Sequence, residues 1–139
     1  MRLLKTGQSP RGQVTGPMAD VVQHSTQHLG EADLAAMALY LTSLPQNAAT
    51  VPRADPAAPA DSPAKARQGA RLYQDHCAKC HGERGEGVPG AYPALAGNRA
   101  VTMPQTTNLV QVVLHGGFAP ATAGNPRPFG MPPFGHQLD

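Results

Sequence analysis

Cys77-Ala78-Lys79-Cys80-His81 is the run of this chain whose residue types and spacing point to chemistry. On the last turn of a helix, two thiols three positions apart can form thioethers with the two vinyl groups of one haem. The adjacent imidazole can then reach the iron. Three other readings use the same residues. Cys77 and Cys80 could be a thioredoxin-like redox pair, which needs a βαβ setting that the neighbouring sequence lacks. They could ligate zinc, which would normally bring further Cys or a spaced His pair downstream. They could close a plain disulfide.

Iron held by one His needs a sixth ligand or leaves an open position. A Met thioether suits a low-spin electron carrier. Met131 lies 50 residues beyond His81, in Phe129-Gly130-Met131-Pro132-Pro133-Phe134, where prolines can hold a ligand loop firmly. Met103, before Pro104, is the second methionine downstream. His115 or His136 would instead give bis-His ligation, and no ligand at all would give an open-site haem enzyme or gas sensor. No nucleophile–base pair or acid–base dyad accompanies these residues, so no catalytic step of the chain's own is expected. His24 and His28 are four apart and could share a helix face, where a solvated face is the ordinary explanation.

A helix over about residues 64–77 must present the motif. Ser62-Pro63 is a start signal, and Ala66, Ala70 and Tyr73 follow at helical spacing. Gly69 is unfavourable in a helix by about 1 kcal/mol against Ala, which suggests a close backbone approach to a partner. Gly/Pro-rich loops are expected over 82–98 and a short helix over 108–114. The rest, with five prolines from Pro120 to Pro133, reads as loop. Upstream, residues 46–63 hold four prolines and six alanines without a periodic apolar face, the mark of a semi-extended linker. Before it, Glu31 and Asp33 open a helix whose Leu34, Met37, Ala38 and Leu41 form one apolar stripe. Met1 to Leu29 reads as mostly turn-like, with little to cover that stripe.

Residues 64–139 resemble a class I cytochrome c domain, an all-α fold of short helices and Gly/Pro-rich loops around haem. Tyr92-Pro93-Ala94-Leu95-Ala96-Gly97-Asn98 matches the family segment in which a Pro carbonyl accepts a hydrogen bond from the proximal His. The resemblance makes Cys77 and Cys80 the attachment residues of one covalent haem c and His81 and Met131 the iron ligands. It makes Pro93 the acceptor for His81 and places Leu95 on the haem face. Residues 12–22, 24–27, 36–38 and 40–41 are similar to the middle domain of a triple-haem subunit. That subunit serves bacterial membrane-bound alcohol, aldehyde and gluconate-type dehydrogenases, and 64–139 is similar to its third haem domain. The implied organisation is a C-terminal half of a preceding cytochrome c domain over 1–45, a linker over 46–63, and a haem domain over 64–139 lacking its last helix. On that reading the fold is truncated at both ends and Met18 is the axial Met of the preceding domain. Gly69 and Tyr73 would be left without the helix that packs on them, so a weakly stable domain is expected.

The resemblance also implies electron transfer, with a dehydrogenase subunit as donor and quinone or another carrier as acceptor. It implies a periplasmic, inner-membrane-associated setting, with membrane association only through the complex or a missing C-terminus. As it stands the chain shows no apolar run long enough for a signal peptide or a transmembrane helix. Its net charge is +2, with basic residues scattered, so nucleic acid is not an expected partner. Leu, Val and Phe supply 24 of 139 residues, about 17%, and Gly and Pro supply 30. That is little for an unaided core, yet only 14% of residues are charged. Something other than amino acid would complete the interior.

Overall fold

A computed structural model describes residues 1–10, 12–45 and 62–138. The expected linker lies outside the described residues except for Ser62 and Pro63. Seven helices occur among them: α1 (Arg2–Thr6), α2 (Pro17–His24), α3 (Glu31–Ser43), α4 (Pro63–His76), α5 (Ala78–His81), α6 (Arg99–Thr102) and α7 (Thr107–His115). Two ribbons of two-residue antiparallel strands accompany them. β1 (Gln8–Ser9) pairs β2 (Gly12–Gln13), and β3 (Gly117–Phe118) pairs β4 (Gly130–Met131).

The segment before Leu29 is more ordered than its turn-forming composition suggests. α1 is too short to persist alone. It closes where Gly7 N–H donates to the Leu3 carbonyl at 3.0 Å. α2 begins with Pro17 in its first turn, where a missing N–H does no harm. A 3₁₀ turn over Thr26–His28 follows and ties back to α1. Thr26 Oγ1 donates to the Leu4 carbonyl at 2.5 Å, and Lys5 Nζ to the Leu29 carbonyl at 2.8 Å.

Val22 and Leu34 are each 1% exposed, so the first part does hold core residues. The expected stripe along α3 is corrected in turn. Leu34 is the buried residue of that helix, while Met37 and Leu41 are 37% and 51% exposed. Leu39, Tyr40 and Leu44 are exposed as well, so α3 is apolar around its circumference rather than along one face.

The second part carries the motif on α4 and α5. No residue of α4 is buried, and a Cβ built at Gly69 meets nothing within 4 Å. The close approach expected there does not occur among the described residues. The two parts meet where α6 approaches β2 and through the loop between β3 and β4. Ala119, Pro120, Thr122 and Asn125 of this loop are buried, and Pro120 packs on Gly7.

Candidate functional site

The motif sits where α4 ends. Ser62 Oγ accepts from Ala64 N–H at 3.0 Å and Lys65 N–H at 3.4 Å, which satisfies two of the orphan donors at the helix start. At the other end Cys77 joins α4 to the single turn of α5. Its N–H donates to the Tyr73 carbonyl at 2.8 Å, and its carbonyl accepts from His81 N–H at 2.9 Å. Cys77 and Cys80 are both half-buried free thiols. Burial first, and then the neighbouring Cys80, push the Cys77 thiol above its ordinary value. A nucleophilic redox cysteine needs the opposite shift, so this environment does not suit a thioredoxin-like pair. No group of three or more His, Cys, Asp or Glu suited to a metal ion occurs among the described residues, which leaves the zinc reading without its further ligands.

His81 is buried, and its Nδ1 lies 2.9 Å from the Pro93 carbonyl. A carbonyl only accepts, so Nδ1 is the donor, and in the neutral ring that tautomer leaves the lone pair on Nε2. Nε2 makes no hydrogen bond among the described residues. The acceptor is itself held in place. Val88 and Tyr92 exchange backbone bonds of 2.9 Å in each direction, and the Gly85 carbonyl accepts from both Leu95 and Ala96 N–H. Asn98 Nδ2 donates to the Ala94 carbonyl at 3.0 Å, while its Oδ1 caps Ala100 N–H. Gly87 ties this segment to the motif, donating to the His81 carbonyl at 2.6 Å. Its φ is +69°, and a Cβ there would lie 2.6 Å from both Ala94 N and the Tyr92 carbonyl oxygen.

Met131 is half-buried in β4 and pairs with Gly117. The chain after it is zipped to α7, with Phe134 N–H donating to the Val113 carbonyl at 3.0 Å and Gly135 N–H to Leu114 at 3.1 Å. Met131 lines a cleft of about 430 Å³ with His115, Phe118, Pro132 and Pro133. Two aromatic contacts join the Met131 segment to the His81 side. Phe129 lies 5.1 Å from Tyr92, the residue before Pro93. Phe134 meets His76, the residue before Cys77, edge-on at 5.9 Å. Met131 therefore sits between two anchors, each one residue away from a part of the motif's surroundings.

The other candidates lie elsewhere. Met103 and Met18 are 45% and 51% exposed, and His136 is exposed. Leu95 lines a different cleft of about 500 Å³ with Tyr73 and Val101. Tyr73 Oη donates to the Gly82 carbonyl at 2.5 Å, and burial raises its hydroxyl pKa. Sequence reasoning missed Phe129, Phe134, Gly87 and Asn98. Two phenylalanines bracketing Met131, two residues before it and three after, were the available signal for the first two. Nothing local marks Gly87, whose role depends on a segment folding back from Tyr92 to Ala94.

These residues suit a haem. Two unpaired thiols end a helix, and an imidazole tautomer is fixed with its free lone pair on Nε2. A thioether lines a cleft braced against the same elements.

The chain is similar to known proteins over most of its length. The cytochrome c family pattern matches residues 66–139. The chain is 38% identical, over 97% of its length, to the cytochrome c subunit of a quinone-dependent alcohol dehydrogenase from Gluconobacter oxydans (strain 621H). It is 36% identical, over 99% of its length, to the gluconate 2-dehydrogenase cytochrome c subunit of Pantoea cypripedii. A third relative, 34% identical over 81% of the chain, is the fructose dehydrogenase cytochrome subunit of Gluconobacter japonicus. The chain spans 29%, 32% and 27% of these relatives.

Proposed function

The chain belongs to the cytochrome c family, and on that premise we propose that it transfers single electrons as part of a dehydrogenase-linked cytochrome subunit. One haem c would be attached through Cys77 and Cys80, with His81 and Met131 as its axial ligands. When bound, the haem supplies a one-electron iron couple within an apolar setting. The carrying observation is the 2.9 Å bond between His81 Nδ1 and the Pro93 carbonyl, beside two unpaired cysteines. That bond orients the ring and keeps Nε2 free for iron. The Val88–Tyr92 bridge and Gly87 hold the acceptor, while β4 and its two phenylalanine anchors hold the thioether.

The donor would be a dehydrogenase subunit and the acceptor quinone or another carrier. The names of the relatives support this reading. Haem attachment to such motifs takes place outside the cytoplasm, so the proposed setting is the periplasm at the inner membrane. No helix among the described residues is long and apolar enough to cross a membrane. Residues 1–45 would represent the C-terminal half of a preceding haem domain, with Met18 in the position of Met131.

His115 lines the same cleft as Met131 and gives a second ligand reading. Met131→Ala and His115→Ala separate the two. With Met131 as ligand, only the first opens the iron to rapid carbon monoxide binding in the ferrous protein. Rapid binding caused by His115→Ala alone would reverse the assignment. Rapid stoichiometric binding by the unaltered protein would favour an open-site haem protein.

A further inference from the structure

The eleven residues from Ala119 to Phe129 leave β3 and return to β4 at Gly130 and Met131. A hairpin of that length needs support at its tip, and it finds it on the first part of the chain. Pro120 is fully buried and lies against Gly7, where any Cβ would collide with the proline ring. Thr122 and Asn125 close the tip through mutual backbone bonds of 3.1 and 2.9 Å, and both residues are buried. Gln23 and Gln27 bracket Ala121. Gln23 Oε1 accepts from Ala121 N–H at 3.2 Å, and Gln27 Nε2 donates to the Ala121 carbonyl at 3.3 Å. Gln27 is in turn fixed by its bond to the Gln23 carbonyl at 2.5 Å. One side chain thus supplies the acceptor, and the other the donor, for both backbone groups of a single loop residue.

We infer that Gln23 and Gln27 are positioning residues for the Met131 thioether: the preceding unit clamps the loop that carries the second unit's distal ligand. The inference rests on Met131 as that ligand. The base of the loop is the β3–β4 ribbon, in which Met131 pairs with Gly117. Ribbons two residues long have little register strength of their own. Withdrawing the thioether would shift β4 and pull the tip against its glutamine bracket. The bracket therefore opposes ligand withdrawal, and a competitor for the sixth position must work against it.

The test uses the full chain matured with haem and titrated with imidazole in the ferric state. The loss of the thioether-to-iron absorption band is followed. Gln23→Ala/Gln27→Ala is expected to raise imidazole affinity by about fivefold for each of the two hydrogen bonds lost, the equilibrium weight of one net bond apiece. The reduced α band and helical circular dichroism should be unchanged. Gln23→Glu keeps the acceptor for Ala121 N–H and should behave like the parent. Gln27→Glu removes the donor alone and should raise imidazole affinity by about fivefold, the weight of one net bond. Unchanged imidazole affinity in the double variant, with the parent band present, overturns the inference while leaving Met131 as ligand. A parent without the band, unaltered by Met131→Ala, overturns the ligand assignment and the clamp with it.

Discussion

The acceptor for His81 is a backbone carbonyl, so Pro93→Ala preserves it. The absorption spectrum should stay as it is, with stability falling by about 0.4–1 kcal/mol from the added freedom of the unfolded chain. Gly87 behaves differently. Its left-handed backbone alone makes Gly87→Ala unfavourable by about 1–2 kcal/mol. The added methyl also strikes Ala94 N and the Tyr92 carbonyl, the segment holding Pro93. Denaturant melting should rank this variant well below Pro93→Ala. Tyr73 supplies a pH dependence. Burial raises its pKa above the ordinary 10.0, so above that pH the unfolded chain loses the proton first. Stability should fall as pH rises past 10.0 and should be flatter in Tyr73→Phe; equal slopes would show that Tyr73 is not responsible.

At the scale of elements, helix α4 depends on its start. Ser62→Ala leaves two N–H groups without their cap and should lower stability by about 1 kcal/mol, read as a shift in melting midpoint. In α3, Leu34→Ala should be far more damaging than Leu39→Ala, by about 2–5 kcal/mol against less than about 0.5. Leu34 is 1% exposed and Leu39 is 72% exposed. The contrast also shows what the sequence reveals and what it hides. α4 and α7 were legible because Ser-Pro and Gly-Gly punctuate them and their apolar residues are periodic. The stripe Leu34, Met37, Ala38 and Leu41 was equally periodic, yet only Leu34 is buried and Ala38 half-buried, while Met37 and Leu41 are exposed. Periodicity says which residues share a face, and burial depends on whether another element reaches that face. α1 and α2 escaped notice because five- and eight-residue helices among Gly and Pro give no repeat to detect. The Cys-x-x-Cys-His motif was legible because its chemistry is contiguous. The aromatic anchors of Met131 were not, because Tyr92 and His76 are distant in sequence from Phe129 and Phe134.

At the scale of the molecule, the interior is small. The buried apolar side chains among the described residues are Ala19, Val22, Leu34 and Ala119, with Pro120 beside them. Three of them belong to the first part and two to the 119–125 loop, and none to the Cys77–His81 motif. The motif-bearing part keeps its shape through backbone bonds and turns, with a cleft beside Met131, so its packing is incomplete as a protein interior alone. A covalently held apolar plate would supply what it lacks. The low content of large apolar residues is thus distributed, with one compact knot of side chains and one set of loops arranged around a group of another kind. The most direct measurement is the intact mass of the chain under denaturing conditions, after maturation with the haem-attachment machinery. The expected result is the chain plus one haem that resists acid–solvent extraction, reverting to the bare chain in Cys77→Ser/Cys80→Ser. An unmodified mass, or a haem that leaves on denaturation, would contradict covalent attachment at this motif.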